Sequence, residues 1–358
     1  MLYKATIDKF FIRNINIKNS MKVLLYDQTN AYLTPGGKTI HALKLRQEIA
    51  KLGVDIQFAR WWDKSQEDAD IMHFLGYNPE IVRQVKRKGM KTFYSMIFDY
   101  ESNKSELEKR KQMLKNRLFE ILPSLSKSGT YWHQLPLMDK IQFMHQYDRD
   151  NAMRYFPKHI APAKVVLIPH AYDPAEMDIS GNLDINDMNF PEKYLISVAN
   201  ISTRKQTVKL AQYAKKAQVP VVFMGSRDIN DPYFKAFEKE VDNKYVFYPG
   251  YVSKEWRDCI EANAAGYVLL SLGESGCIAV YEAADYRMPL LLSNLPWAWG
   301  YEEPVDIHFC DQQDEQKAVL QLKNFYSISC KMDHTPFKVH TWAEIAKIYV
   351  QQYENLIK

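Results

Sequence analysis

Short apolar runs recur along the chain, spaced so that a helix fits between successive pairs. Lys22-Val-Leu-Leu-Tyr26 is followed by the glycine-containing stretch Thr34 to Thr39. Beyond it Ile40, Leu43, Leu45, Ile49, Ala50 and Leu52 predict a helix, closed by Gly53 as its C′ stop. Val54-Asp-Ile-Gln-Phe58 is then a second strand. Strand, glycine turn, helix, strand is the unit from which parallel sheets are wound. Ile71 to Leu75 and Lys91 to Phe98 are further strands, separated by a basic helix with Arg83, Lys86, Arg87 and Lys88. His73, inside the first of these, reads as a satisfied core histidine rather than a functional one. Val165-Val-Leu-Ile168, broken by Pro169, ends this series.

Residues 174–190 turn polar, with Ser180, Gly181 and Asn182 and alternating Asp and Asn, and read as a linker or surface loop. A second series follows. Strands are expected at Tyr194 to Ala199, Val219 to Gly225, Tyr245 to Val252, Gly266 to Ser271 and Met288 to Ser293, with a helix from Gln206 to Ala217. Thr341 caps a last helix carrying Trp342, Ile345, Ile348, Tyr349 and Tyr353. The expected fold class is α/β, with two doubly wound Rossmann-like domains facing across a cleft. Residues 1–20 are expected to be a leader extension, 21–172 the first domain and 173–340 the second. Ligands of such sheets sit beyond the carboxyl ends of the strands. There the turns at Gly36-Gly37, Asn200 to Lys205, Gly225 and Glu274 would converge.

A length of 358 residues is long for one core, and 46% hydrophobic content with both signs of charge makes the chain globular. The formal charge of +4 is mostly local. Lys4, Lys9, Arg13 and Lys18 against Asp8 place it in the leader, so a nucleic-acid footprint is not supported. Cys259, Cys277, Cys310 and Cys330 share no CxxC spacing, which argues against a zinc site or a disulfide framework and for a reducing cytoplasm. No run is apolar for long enough to span a bilayer. Residues 103–122 form a charged helix with Lys104, Lys109, Arg110, Lys111, Lys115 and Arg117 beside Leu107, Leu114, Leu118 and Ile121. Two readings stay open: a solvated face over a core stripe, or a face resting peripherally on anionic membrane or a charged polymer.

The chemistry concentrates in Glu274-Ser-Gly-Cys-Ile-Ala-Val-Tyr-Glu282, after the strand Gly266 to Ser271. Strand, glycine turn and helix aim unpaired N–H groups and a helix dipole at one point, which suits an anion. Two carboxylates eight residues apart are expected on roughly one helical face, with Glu274 at the helix mouth. Ordinary capping is the competing reading. Gly37-Lys38-Thr39 invites a P-loop reading, but Tyr32 stands where the pattern needs its first glycine. Gly36 and Gly37 remain as a turn that backbone alone explains or that a ligand approaches.

The order of these pieces, from Met21 to Lys358, resembles the retaining GT-B glycosyltransferases numbered four. Gly36-Gly37 matches the family's first turn, and Pro169-His-Ala-Tyr-Asp173 its interdomain segment. Val198 to Lys205 matches a strand leading to a basic pair. Glu274, Glu282, Ala283 and Pro289 match its Glu, seven residues, Glu signature. Trp342 to Tyr353 match its closing helix, and the resemblance implies that this helix, 341–358, packs back on the first domain. The resemblance implies a cytoplasmic, metal-independent hexosyltransferase with no cofactor, whose substrates are a nucleotide-diphosphate sugar and a glycan or lipid-linked acceptor. Lys205, with Arg204, would neutralise the diphosphate, aided by N–H groups around Ser275, Gly276 and Cys277. Glu282 would accept from ribose hydroxyls, backbone at Tyr251-Val252 would meet the base, and Glu274 would face the transferred sugar. Gly225 and Asn200 complete the donor side. Two departures stand: Asn200 replaces the family's usual Arg, and Ser95-Met-Ile-Phe-Asp99 lacks its usual His. They motivate the alternative of a catalytically degenerate binding protein; a nucleotide-sugar epimerase of the same fold is a third option.

Overall fold

The structure, a computed structural model, describes residues 21–27, 37–76, 78–97, 103–122, 131–173, 183–250, 252–301 and 306–358. The leader, Gly36, Asp99, residues 174–182 and Tyr251 lie outside these. The first series runs β1 (Lys22–Tyr26), α1 (Gly37–Lys51), β2 (Asp55–Phe58), β3 (Ile71–Phe74), α2 (Pro79–Arg87), β4 (Lys91–Ser95), α3 (Glu106–Ile121), α4 (Tyr131–Gln134), β5 (Lys140–Phe143), α5 (Gln146–Tyr155) and β6 (Val165–Leu167). The second runs β7 (Leu195–Val198), α6 (Thr207–Ala217), β8 (Val221–Met224), α7 (Pro232–Glu238), β9 (Val246–Phe247), α8 (Lys254–Asn263), β10 (Gly266–Leu269), α9 (Ile278–Asp285), β11 (Leu290–Ser293), β12 (Ile307–Cys310), α10 (Glu315–Ile328) and α11 (Trp342–Ile357).

Among the described residues each series builds one six-stranded sheet, in the orders β2-β1-β3-β4-β5-β6 and β12-β11-β10-β7-β8-β9. Every pairing is parallel. Both faces of each sheet are covered, so strands such as Ile71–Phe74 and Val221–Met224 are buried at every position. The expected doubly wound α/β architecture is therefore present. The winding direction reverses between β1 and β3 in the first sheet, and between β7 and β10 in the second. Those are the points where a crevice opens beyond the strand ends.

One face of the first sheet is covered jointly by α1 and by α11, which brings Trp342, Ile345, Ala346, Tyr349 and Tyr353 into a core with Leu25, Leu45 and Phe93. His73 is a core residue, its two ring nitrogens bonded to the Tyr353 hydroxyl at 2.6 Å and the Ser95 hydroxyl at 2.7 Å. The chain passes between the domains at two adjacent points. Tyr172 N donates to His340 O at 2.8 Å, and Trp342 N to the Asp173 carboxylate at 3.2 Å.

Three expectations need correction. The helix after the first glycine turn begins at Gly37 and buries His41, Ala42, Leu45 and Ile49, leaving Ile40, Leu43 and Leu52 exposed. The stripe at i, i+4 and i+8 faces the sheet, and Ile40 is turned to the cleft instead. Two strands escaped the periodicity, β5 and β12. Gln142 interrupts β5 with a buried amide that donates to Ile168 O at 2.9 Å, and His308 interrupts the edge strand β12. Last, of the two readings open for α3, the core stripe is the one the structure overturns: Leu107, Leu114, Leu118 and Ile121 all face outward.

Candidate functional site

The two switch points face one cleft of about 1200 Å³. From the second sheet, the β7–α6 connection supplies Asn200, Arg204 and Lys205, and the β10–α9 connection supplies Glu274 to Cys277. Gly225, at the end of β8, closes the wall beneath them. Its φ is +154°, and a Cβ there would lie 2.1 Å from Ala199 O, so only glycine allows the β7 and β8 ends to approach this closely. Asn200 Oδ1 accepts from the Ser226 hydroxyl at 2.8 Å, which ties it to that wall.

Both cations converge on Glu274. Lys205 Nζ lies 2.7 Å and Arg204 Nη1 2.8 Å from Glu274 Oε1, and the Ser271 hydroxyl donates to the same oxygen at 2.5 Å. Arg204 also donates to Gly273 O at 2.7 Å. Burial pushes the Glu274 pKa up, but Lys205, Arg204 and Ser271 outweigh it and hold the carboxyl below its ordinary value. Burial likewise works against the charge on Lys205. The neighbouring Cys277 and Glu274 more than offset it, and its pKa lies above the ordinary value. A buried carboxylate is thus clasped by two cations at the cleft wall, one of them, Arg204, still partly open to solvent.

Glu274 is not on the helix, contrary to the expectation that both carboxylates share a helical face. The helix α9 begins at Ile278, with Cys277 as an N-cap that makes no side-chain capping bond. The intervening glycine explains the break. Gly276 has φ +154°, and a Cβ on it would meet Met144 Sδ at 2.8 Å and His170 Cδ2 at 2.9 Å. The turn therefore nests against the first domain before the helix starts. Across the cleft the N-terminus of α1 faces that of α9, with the Gly37 Cβ position 3.6 Å from Ile278 Cδ1. Two helix N-termini and two cations at one place make a strong anion site.

Glu282, inside α9, is buried and separate from this pair. Arg257 Nη2 lies 2.9 Å from its Oε1, and the Tyr172 hydroxyl donates to it at 3.4 Å. Burial raises its pKa above the ordinary carboxylate value in spite of Arg257. Burial and then the Glu282 charge push buried Glu261 still further up. Arg257 was not found from the sequence; α8 offered only a Ser253 cap and two cations, Lys254 and Arg257, among four acidic or polar neighbours. His41 was missed for the same reason, as one imidazole on a predicted core helix. It lines the cleft between His170 and Trp342, at ring distances of 5.4 and 5.2 Å, with neither nitrogen hydrogen-bonded.

Of the sequence candidates, Gly37, Asn200, Arg204, Lys205, Gly225, Ser275, Gly276, Cys277, Glu274 and Glu282 all line this one cleft. Val252 instead packs, partly buried, against the core of the second domain. Gly36 and Tyr251 are outside the described residues.

The sequence matches no family model, and no curated protein matches it significantly. Solved structures do match, over more than nine tenths of the chain. AviGT4, a glycosyltransferase involved in avilamycin A biosynthesis, is 15% identical with a TM-score of 0.57, covering 94% of this chain and 98% of its own. Anabaena Alr3699/HepE, in complex with UDP and glucose, is 11% identical with a TM-score of 0.59, covering 93% and 95%. Sucrose-phosphate synthase from Thermosynechococcus elongatus is 11% identical with a TM-score of 0.62, covering 94% and 95%. At these identities the likeness establishes the fold, with two doubly wound domains in the GT-B arrangement.

Proposed function

We propose that this chain transfers a sugar from a nucleoside-diphosphate sugar to a glycan or lipid-linked glycan, with retention of configuration. The observation that carries the reading is the convergence of Arg204, Lys205 and two helix N-termini on one buried carboxylate, Glu274. A diphosphate seated there meets two cations and the open N–H groups of α9. The C1–O bond to the β-phosphate breaks with its electron pair leaving on phosphate, where Lys205 and Arg204 stabilise the charge without a metal. The acceptor oxygen then bonds C1 on the same face, and its proton passes to a phosphate oxygen. Glu274, released from full contact with its two cations by the incoming phosphates, accepts from a sugar hydroxyl and offsets developing positive charge at C1. Glu282, held by Arg257, lies deeper along α9 and suits the ribose hydroxyls. The fold shared with a protein that holds UDP and glucose makes uridine the first base to test.

Thermal shift across UDP-, GDP- and ADP-sugars is the direct test, since a ligand that binds only the folded state raises its melting point. A shift with one base, followed by sugar transfer to an acceptor, supports the reading. The Asn200 tie to Ser226, in place of the arginine of the resembled family, favours one second reading: a cleft that binds the donor without turning it over. Binding with neither transfer nor donor hydrolysis would establish that instead, and an altered nucleotide sugar formed without acceptor would indicate an epimerase.

A further inference from the structure

Helix α3 is mounted back to front. Its buried positions are Lys109 and Asn116, each only 2% exposed. Lys109 Nζ donates to the Tyr147 hydroxyl at 2.7 Å and pairs with Glu106 at 3.1 Å. Asn116 Nδ2 donates to Tyr155 O at 3.4 Å. The polar back of the helix is thereby fastened to α5, and the apolar stripe is turned away. Leu107 is 64% exposed, Leu114 65%, Leu118 47% and Ile121 75%, with Leu122 continuing the stripe at 46%. At about 3.6 residues per turn these four and Lys111 fall on one strip roughly 80° wide.

The charges are sorted around that strip. Arg110 and Arg117 border one side, and Lys111 and Lys115 lie on or beside the other. All four are exposed, and none makes an ion pair among the described residues. The acidic residues sit further round and two are engaged: Glu106 with Arg154 at 2.9 Å, and Glu120 with Lys158 at 3.4 Å. Glu108 is held in the capping box with Ser105. An exposed apolar stripe bordered on both sides by exposed cations that form no ion pair among the described residues is the pattern of a helix lying in a lipid interface. A second copy of this chain fits poorly, because apposing two such faces would bring like charges together along the rim.

We propose that α3 seats the protein on an anionic lipid surface, with the leucine stripe entering the headgroup boundary and Arg110, Lys111, Lys115 and Arg117 meeting lipid phosphates. The reading is independent of the donor cleft, whose residues are on other elements. Co-sedimentation of the full chain with vesicles tests it, using phosphatidylcholine alone and phosphatidylcholine mixed with phosphatidylglycerol. The expected result is binding to the mixed vesicles only, weakened as salt is raised. The pair Lys111→Glu and Lys115→Glu should lose roughly fivefold or more per charge, and the pair Leu114→Ser and Leu118→Ser about tenfold. Neither pair should shift the melting point, since these side chains are on the surface. Lys347→Glu, exposed on α11, should bind as the parent does. Unchanged binding by both α3 pairs, equal binding to neutral vesicles, or no binding at low salt would overturn the proposal. So would dimerisation in solution that the Leu114 and Leu118 changes abolish, because the face would then be covered by a second copy.

Discussion

Glu274 is both the most engaged carboxylate of the cleft and the one with most to give up on ligand binding. Its three partners already satisfy it, so the free protein keeps a preformed, neutralised cluster where phosphate is to sit. Glu274→Gln keeps the shape and removes the charge that holds the two cations. Donor binding, read by calorimetry, is expected to stay equal or tighten, while turnover falls at least about a hundredfold. Turnover at the parent's rate would remove Glu274 from the reaction. Lys205→Met leaves buried Glu274 with Arg204 as its one cation beside the Ser271 hydroxyl, and a loss of roughly 1–3 kcal/mol in urea unfolding is expected beside weakened donor binding. At Gly225 the constraint is steric. Gly225→Ala drives a methyl group into Ala199 O, and the expected loss is about 2–4 kcal/mol, with a stability within error of the parent as the contrary result.

At the scale of elements, α11 is the last piece of the chain and part of the first domain's core. Trp342, 3% exposed, packs edge-on to both His41 and His170. Trp342→Ala is expected to cost about 3–5 kcal/mol and to loosen the cleft wall formed by α1. Equilibrium unfolding checks the first, and hydrogen exchange at the α1 amides the second. How far elements were legible followed from their patterning. Strands buried on both faces read plainly as apolar runs, as at Val221–Met224. Strands with a buried amide or an edge position, β5 and β12, did not. The α3 stripe was legible as a stripe, with its direction left open. Periodicity says which residues share a face and leaves open which face meets the core.

Across the whole molecule, burial of imidazoles sets the response to acid. Burial lowers the His73 pKa to about 3 and those of His145 and His170 to about 4, and puts His41 well below its ordinary value. The unfolded chain binds these protons near pH ~6.5, before the fold does. Stability from these groups is thus fully present above that pH, and is lost as pH falls from about 6.5 through the folded values near 4 and 3. Each contributes up to about 1.4 kcal/mol per pH unit within its window. Glu282 and Glu261 act oppositely, because their raised pKa values let the fold take up protons first. Four groups against two leave a net loss, so the urea midpoint should fall between pH 7 and pH 5. A constant or rising midpoint would contradict this assignment.

What the sequence determined by itself was the alternation of buried strands and amphipathic helices, and with it two parallel sheets and the strand ends at which chemistry could gather. Those properties are local, carried by apolar runs and glycines within a few residues of one another. Tertiary structure decided the rest. The break at Gly276 placed Glu274 in a turn, where the backbone takes a φ of +154° and a Cβ would lie within 3 Å of Met144 and His170 on the first-domain wall. Partners such as Arg257 for Glu282, and Arg204 with Lys205 for Glu274, come from elements separated by many residues, where spacing carries no signal. The sheet orders, and the switch points that open the cleft, depend on which strands become neighbours. That choice is made by packing both faces of each sheet at once, with α11 returning from the far end of the chain to complete one of them.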